Sequence, residues 1–216
     1  MTLAIGLLGG SFDPIHVGHL QLARDALAQL GLAEVRFLPA GHPWQKGEVT
    51  DATHRAQMVL AAIRDEKRFV LDIREIERPG PTYTIETLRE LRAALGADVP
   101  LVLIMGSDQF ERLDTWRDWM HLLDLAHLAV ARRADAVLTP SYALQEFYNA
   151  HWAPPAAVHE AAHGRIVEIA MTPVDASATE IRAALAQPPS RARDVRLAEI
   201  VPGEVLDYIR AHHLYR

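Results

Sequence analysis

The chain has 216 residues, of which 50% are hydrophobic and 23% are charged, with a formal net charge of −6 and no cysteine. These values suit a packed domain and exclude disulfides, thiolate metal sites and the broad basic surface of a general nucleic-acid binder. The apolar runs are shorter than the roughly 20 residues that cross a bilayer, and residues 1–10 do not have the pattern of a signal peptide, so we expect a cytoplasmic protein without membrane contact.

Short apolar runs alternate with segments of helical period in the first two thirds of the chain. Leu3–Leu8 predicts a buried strand that ends in two glycines, and the apolar residues from Leu20 to Leu30 recur at helical spacing until Gly31. The same reasoning predicts further strands at 35–38, 69–76, 101–105 and 128–131, and further helices at 56–63 and 88–95.

The last third is less regular. Residues 140–164 show no firm period, and we expect a helix and a loop there, followed by a strand at 166–169 and helices at 177–185 and 202–212. Strands that alternate with helices predict an α/β fold, a Rossmann-like doubly wound and mostly parallel sheet with helices on both faces. We interpret residues 1–216 as a single domain with a small helical C-terminal part from about residue 175.

The segment from Gly9 to His19 carries the most specific pattern in the chain. Glycines after a strand let a phosphate approach the backbone, and the following helix offers free N–H groups and the positive end of its dipole. His16 and His19 are three residues apart and share one face of the first turn, with Ser11 as a further donor. A tight turn would explain the glycines alone, and a zinc site would need a third ligand besides the histidines. The whole combination favours a phosphate-binding site.

Further polar residues follow other strands or begin helices. Lys46 lies in a glycine- and proline-rich loop, where a lysine is often simply solvated. Thr84 can serve as the N-cap of a helix, and Asp108 follows the strand at 101–105, at the edge where ligands bind in such sheets. Trp116 follows in a loop, where a tryptophan often anchors only the core.

The segment from Ser177 to Arg182 begins a second helix of interest. Ser177 and Glu180 form a capping box, which explains these two residues but not Thr179 or Arg182. A helix start with two hydroxyls and an arginine can hold phosphates. Arg133 follows a strand and is a further candidate side chain for the site.

On these residues, the Gly9–His19 segment resembles the signature of the nucleotidyltransferase superfamily with the His-x-Gly-His motif, and residues 177–182 resemble its second signature, Ser-x-Thr-x-Ile-Arg. From Ile5 to Arg216 the chain resembles the bacterial nicotinate-nucleotide adenylyltransferase family. The resemblance implies a nucleotidyltransferase-type fold and transfer of AMP from ATP to nicotinate mononucleotide. The chain departs from the family at His42–Lys46, where Gln45 stands in place of the usual histidine of a Pro-Pro-His-Lys/Arg motif.

The resemblance also implies roles for individual residues. The catalytic set would be His19, His16, Lys46 and Arg182. The groups that bind ATP would be Gly9, Gly10, Ser11, Phe12, His16, Gly18, His19, Arg133, Ser177, Thr179 and Arg182. The groups that bind the mononucleotide would be Thr84, Ile85, Asp108, Trp116 and Arg117, with backbone N–H groups at Thr84 and Ile85 for the carboxylate and Trp116 stacked on the ring.

The implied chemistry needs little from the protein besides donors and positive charge. A phosphate monoester is already an anion at neutral pH, so it can attack the α-phosphorus of ATP without a general base. We therefore expect catalysis by positioning and charge stabilisation, with Mg²⁺ bridging the phosphates and no dedicated protein metal site.

Three alternatives compete with this interpretation. A sister transferase acting on phosphopantetheine or a polyol phosphate would lack the Thr82–Thr84 and Trp116 pair. A fragment of a class I aminoacyl-tRNA synthetase shares the first motif, but the length and acidic charge disfavour it. A non-catalytic nucleotide-binding regulator is disfavoured by the intact set of catalytic candidates. The sequence leaves open whether the protein is a monomer or a homo-oligomer.

Overall fold

The computed structural model describes residues 3–43, 49–132 and 139–216. Within these ranges six strands form one sheet, and every pair of neighbouring strands is parallel. The strands are β1 Ile5–Gly10, β2 Glu34–Pro39, β3 Phe69–Leu71, β4 Leu101–Gly106, β5 His127–Arg132 and β6 Ile166–Ala170. Their spatial order is β3-β2-β1-β4-β5-β6, which is the doubly wound order that the alternation of strands and helices predicts.

Helices connect the strands and follow the last one. The α-helices are α1 Val17–Gln29, α2 Ala52–Ile63, α3 Arg74–Glu77, α4 Thr84–Leu95, α5 Ser107–Phe110, α6 Tyr142–His151, α7 Ala178–Leu185, α8 Arg191–Ile200 and α9 Gly203–Ala211. Short 3₁₀ segments cover Leu113–Thr115, Trp119–Asp124 and Pro155–His159. No helix among the described residues is long and apolar enough to cross a membrane.

Two sequence predictions about the elements need correction. The alternation at 69–76 predicts one strand, but β3 ends at Leu71 and α3 begins at Arg74, because the Asp72 carboxylate accepts the Arg74 backbone N–H at 3.2 Å and turns the chain. Helix α8 was not predicted. Only two of its residues, Leu197 and Ile200, are buried, so its sequence shows little helical period, and Ser190 caps its start.

The sheet separates two hydrophobic cores. Neighbouring strand residues such as Leu7 and Leu8 point to opposite faces, as strand geometry requires. The first core lies under α1, α2 and the C-terminal helices α7 to α9, and it includes Phe12, Ile15 and Ile181. The second core lies under α4 and α6 and includes Ile85, with Tyr83 and Trp116 packed against its edge.

Candidate active site

Several of the candidate residues lie in the segments that follow the central strands β1 and β4. These two central strands are neighbours, but the chain order reverses between them, since β2 and β3 lie beyond β1 on one side and β5 and β6 lie beyond β4 on the other. In an open parallel sheet such a switch point leaves a crevice where ligands bind. The Gly9–His19 segment follows β1, and the Ser107–Trp116 segment follows β4.

His16 and His19 form a close pair at the start of α1. His16 is buried and is the N-cap residue, and its backbone N–H donates to Nδ1 of His19 at 3.3 Å. The two imidazole centroids are 3.8 Å apart. The ring centroids of Phe12 and His19 are 5.1 Å apart, and these two rings are packed edge to face. Because Nδ1 of His19 accepts a hydrogen bond, the proton of the neutral ring is on Nε2, which is therefore a donor.

The glycines of this segment have separate roles. A Cβ added at Gly9 would meet no atom of the described residues within 4 Å, so that part of the structure leaves the backbone there open to a ligand. A Cβ at Gly10 would contact the Phe12 ring at 3.1 Å, and one at Gly18 would lie 3.0 Å from Nδ1 of His16. Phe12 has φ of 48° and is buried, so it fixes the turn between Gly10 and the histidines.

The second signature lies against the first. A guanidinium nitrogen of Arg182 donates to the Asp13 carbonyl at 2.7 Å, and a Cβ at Gly18 would lie 3.9 Å from the Ala176 carbonyl. Ser177 caps α7 by accepting the Glu180 N–H at 3.1 Å, while Thr179 is exposed in the first turn. The predicted reciprocal capping box is therefore only half formed.

The other half of that box is replaced by an ion pair. In a complete capping box the Glu180 carboxylate would accept the backbone N–H of Ser177. Here it contacts Nε of Arg196, a residue of α8, at 3.1 Å.

The loop before α4 presents backbone donors. Tyr83, and not Thr84 as predicted, is the N-cap residue, and its carbonyl accepts the N–H groups of Glu86 and Thr87 at 3.1 and 3.3 Å. The N–H groups of Thr84 and Ile85 precede these first bonds of the helix. The Ile85 side chain is fully buried, so a ligand would meet this residue through its backbone.

Trp116 and Arg117 lie beside that helix start. The Trp116 indole is half-buried on the second core, and its Nε1 is buried without a hydrogen-bond partner among the described residues. Arg117 lies 4.8 Å above the centre of the Tyr83 ring and pairs with Glu86 at 3.3 Å. Arg78 approaches the same carboxylate at 3.8 Å, so two cations share one acidic group next to the start of α4.

The remaining candidates are less constrained. Asp108 is exposed in the first turn of α5, and its carboxylate accepts a hydrogen bond from Gln109 at 3.1 Å. Lys46, Gln45 and Arg133 lie outside the described residues. Across the described ranges, no group of three or more histidine, cysteine, aspartate or glutamate side chains is arranged to hold a metal ion.

Sequence reasoning did not find Arg55, which the structure places under the site. Its side chain is fully buried and donates to three backbone carbonyls: Thr50 at 2.7 Å, Ser11 at 2.8 Å and Gly41 at 3.1 Å. Burial lowers the pKa of Arg55, and the nearby Asp13 opposes that effect. The sequence does hold a sign of this burial, because Arg55 lies on the same helical face of α2 as Met58 and Val59, which are fully buried.

The loop after β2 is also tied to the loop before α4. The His42 N–H donates to Oγ1 of Thr82 at 3.1 Å, and the Thr82 N–H donates back to the His42 carbonyl at 3.2 Å. A Cβ at Gly41 would overlap the Glu75 carbonyl, so the close approach of the two segments requires glycine there. The structure thus links the two halves of the candidate site through backbone contacts.

Comparison with known proteins gives a consistent result along the whole chain. A family model described as cytidylyltransferase-like matches residues 7–184. A protein from Herminiimonas arsenicoxydans is 42% identical over 100% of this chain and 98% of its own length, and one from Dechloromonas aromatica is 40% identical over 100% and 99%. Both carry the name "Probable nicotinate-nucleotide adenylyltransferase".

Solved structures of similar fold come from Plasmodium falciparum. The nicotinic acid mononucleotide adenylyltransferase of that organism, complexed with NaAD, superposes with a TM-score of 0.71 at 17% identity and covers 99% of this chain and 97% of its own. The same enzyme complexed with APC gives a TM-score of 0.68 at 18% identity. At these identities the likeness concerns the fold.

Proposed function

The chain belongs to the cytidylyltransferase-like family and to the nicotinate-nucleotide adenylyltransferases, and we propose that it transfers AMP from ATP to nicotinate mononucleotide. The products are nicotinate adenine dinucleotide and pyrophosphate, in the synthesis of NAD. The observation that carries this proposal is the meeting of the two signatures, because Arg182 bonds to the same loop that places His16 and His19 beside the open backbone of Gly9.

In the proposed reaction a phosphate oxygen of the mononucleotide attacks the α-phosphorus of ATP. One P–O bond forms, the bond from the α-phosphorus to the bridging oxygen breaks, and pyrophosphate leaves with its electron pair. Negative charge moves onto the phosphate oxygens in the transition state, where preorganised donors lower its energy. Nε2 of His19 is the donor whose direction is fixed, because Nδ1 of the ring is held by the His16 backbone.

Arg182 and Lys46 are the proposed contacts of the departing pyrophosphate. One nitrogen of the Arg182 guanidinium donates to the Asp13 carbonyl, and among the described residues no other hydrogen bond of this guanidinium competes with phosphate oxygens. The proposed ATP ligands that complete the set are Gly9, Gly10, Ser11, Phe12, Gly18, Arg133, Ser177 and Thr179.

The family uses ATP, and we propose that Mg²⁺ is the divalent metal of the reaction. The ion would neutralise charge on the triphosphate. Mg²⁺ keeps several waters and takes few protein ligands, so we propose that the phosphates hold it and not a cage of protein carboxylates. The exposed Asp108 carboxylate could hold a metal-bound water or a ribose hydroxyl.

The loop before α4 supports the acid as acceptor over the amide. The N–H groups of Thr84 and Ile85 donate only, which suits a carboxylate, whereas an amide would set its own NH₂ against them. Arg117 adds a positive charge at the same place. A buried donor left without an acceptor costs roughly 1 to 3 kcal/mol, so we expect a preference for the acid of at least ~10-fold in kcat/KM. Trp116 stacking would serve both acceptors equally.

Pyrophosphate release from ATP with three separate acceptors tests the proposal. The acceptors are nicotinate mononucleotide, its amide and phosphopantetheine. We expect turnover with nicotinate mononucleotide and no turnover with phosphopantetheine. With the amide, kcat/KM should be at least ~10-fold lower than with the acid. Equal rates for acid and amide would overturn the assigned role of Thr84 and Ile85. Turnover with phosphopantetheine alone would overturn the assigned acceptor.

We also propose that the chain forms a single domain, with a helical C-terminal part from about residue 175. Support comes from α9, which packs against α2, and from residues of α7, α8 and α9 that share the first core with α1. These helices thereby take part in the core on which the first motif rests.

A further inference from the structure

We propose that Tyr215 is a positioning residue for the ATP half of the site, acting through the Asp13 side chain. The inference rests on the proposed function, since it assigns a role at the same phosphate-binding loop. Tyr215 follows α9, and its hydroxyl donates to Oδ1 of Asp13 at 2.6 Å, although 202 residues separate the two in sequence. Asp13 stands between the glycines and the histidines of the first motif.

Asp13 is the point where three other segments meet. It is 5% exposed, and its second carboxylate oxygen accepts the Thr50 N–H at 3.3 Å. Its backbone carbonyl accepts Arg182 at 2.7 Å. The Tyr215 hydroxyl occupies the remaining carboxylate oxygen, so the orientation of Asp13 depends on a side chain from the end of the C-terminal segment.

Arg55 lies near Asp13 and holds the same segments through their backbone carbonyls. It donates to the Ser11 carbonyl on one side and to the Gly41 and Thr50 carbonyls on the other. Gly41 precedes Lys46 in the sequence and Thr50 follows it. Asp13 and Arg55 together therefore fix the start of the first motif relative to both ends of the loop that bears a proposed pyrophosphate ligand.

Tyr215 itself is well held for this role. Its backbone has φ of 62°, a region that non-glycine residues rarely occupy, and its hydroxyl lies 4.0 Å from the sulfur of Met58 in the first core. Burial raises the pKa of the Tyr215 hydroxyl, and the bond to Asp13 raises it further. Both effects favour the protonated hydroxyl, which is the form that donates to Asp13.

Substitution Tyr215→Phe keeps the ring and removes the donor. Loss of a hydrogen bond to a charged group corresponds to about 10- to 100-fold in an equilibrium constant, and because Tyr215 acts on ATP only through Asp13 we expect a part of it, a rise of about 3- to 10-fold in the KM for ATP. The KM for the mononucleotide should stay within twofold. Tyr208→Phe is the matched control. The Tyr208 hydroxyl also connects the C-terminal part of the chain to α2, since it lies 2.9 Å from Nδ1 of His54, but it is not linked to Asp13.

Two further measurements separate positioning from simple loss of stability. Binding of a non-hydrolysable ATP analogue by calorimetry should weaken in Tyr215→Phe and not in Tyr208→Phe, and this readout needs no acceptor. In an Asp13→Ala background, Tyr215→Phe should have little additional effect, since the loss of the Asp13 carboxylate already removes the acceptor of the Tyr215 hydroxyl. An unchanged affinity for the ATP analogue in Tyr215→Phe, or fully additive effects in the double variant, would overturn the inference. Failure of the parent to adenylylate nicotinate mononucleotide would instead overturn the proposed function.

Discussion

The backbone N–H of His16 donates to Nδ1 of His19 at 3.3 Å, so one residue of the pair fixes which nitrogen of the other carries the proton. A ring with its proton on Nε2 presents a donor away from the helix backbone. Phosphate oxygens need such a donor, and it must be in place before negative charge develops on them.

Substitution His19→Ala removes that donor. We expect turnover to fall by on the order of a hundredfold or more, the effect of losing one preorganised donor at a developing oxyanion, with no change in fold. Steady-state rates and a melting curve would check both parts. His121→Ala is the control, because its exposed imidazole pairs with Asp124 at 2.8 Å. A His19→Ala variant within a few fold of the parent rate would show that His19 has no catalytic role.

Substitution Arg182→Ala should raise the KM for ATP more than the KM for the mononucleotide. The side chain joins the second signature to the Asp13 carbonyl and faces the proposed pyrophosphate position, so its loss should affect one substrate selectively. Arg196→Ala provides a comparison, since Arg196 pairs with Glu180 on the outside of the same helix. Equal changes in both KM values, or none, would leave Ser177–Arg182 as a capped helix without a role in ATP binding.

Metal removal should abolish activity reversibly. Excess chelator is expected to stop pyrophosphate release, and added Mg²⁺ to restore it, because the triphosphate charge must be neutralised for attack. Metal analysis of the purified protein should find no stoichiometric zinc, since the described residues hold no cluster of ligands for it. Tightly bound zinc at one equivalent would contradict this expectation.

His127 makes stability depend on pH. Burial lowers the pKa of His127 to about 4, while Nε2 contacts the Ala161 carbonyl at 2.9 Å and Nδ1 accepts the Arg165 N–H. In the unfolded chain this histidine binds a proton near pH 6.5. The contribution of the neutral, buried His127 to stability is therefore complete above that pH, decreases as the pH falls, and is lost by about pH 4. Between pH 7.5 and 5 this group should remove about 2 kcal/mol from the free energy of unfolding.

Denaturant titrations at several pH values would measure that change. The His127→Gln variant should show a flatter pH dependence in this window, whatever its absolute stability. If parent and variant have the same slope, the proton uptake arises elsewhere in the chain.

Local patterns in the sequence predict the buried strands because most of them are short apolar runs, and glycine or proline ends β1, β2 and β4. They predict the first motif because its residues are contiguous. Asp72 shows where this reasoning fails, since one side-chain bond overrides the alternation at 69–76. Arg55 and Tyr215 show a second reason, because their partners lie 44 and 202 residues away along the chain and only the folded sheet brings them together.

The two hydrophobic cores divide the site between the faces of the sheet. Phe12 and Ile181 lie in the two signatures proposed to bind phosphate and belong to the first core, whereas Ile85 and Trp116, proposed to contact the mononucleotide, belong to or pack against the second. On these proposed roles, a packing change in one layer should affect one substrate before the other. Acceptor choice can diverge among related proteins by substitutions on the α4 face while the machinery for ATP is inherited unchanged, and a selective inhibitor would find its distinguishing contacts on that same face.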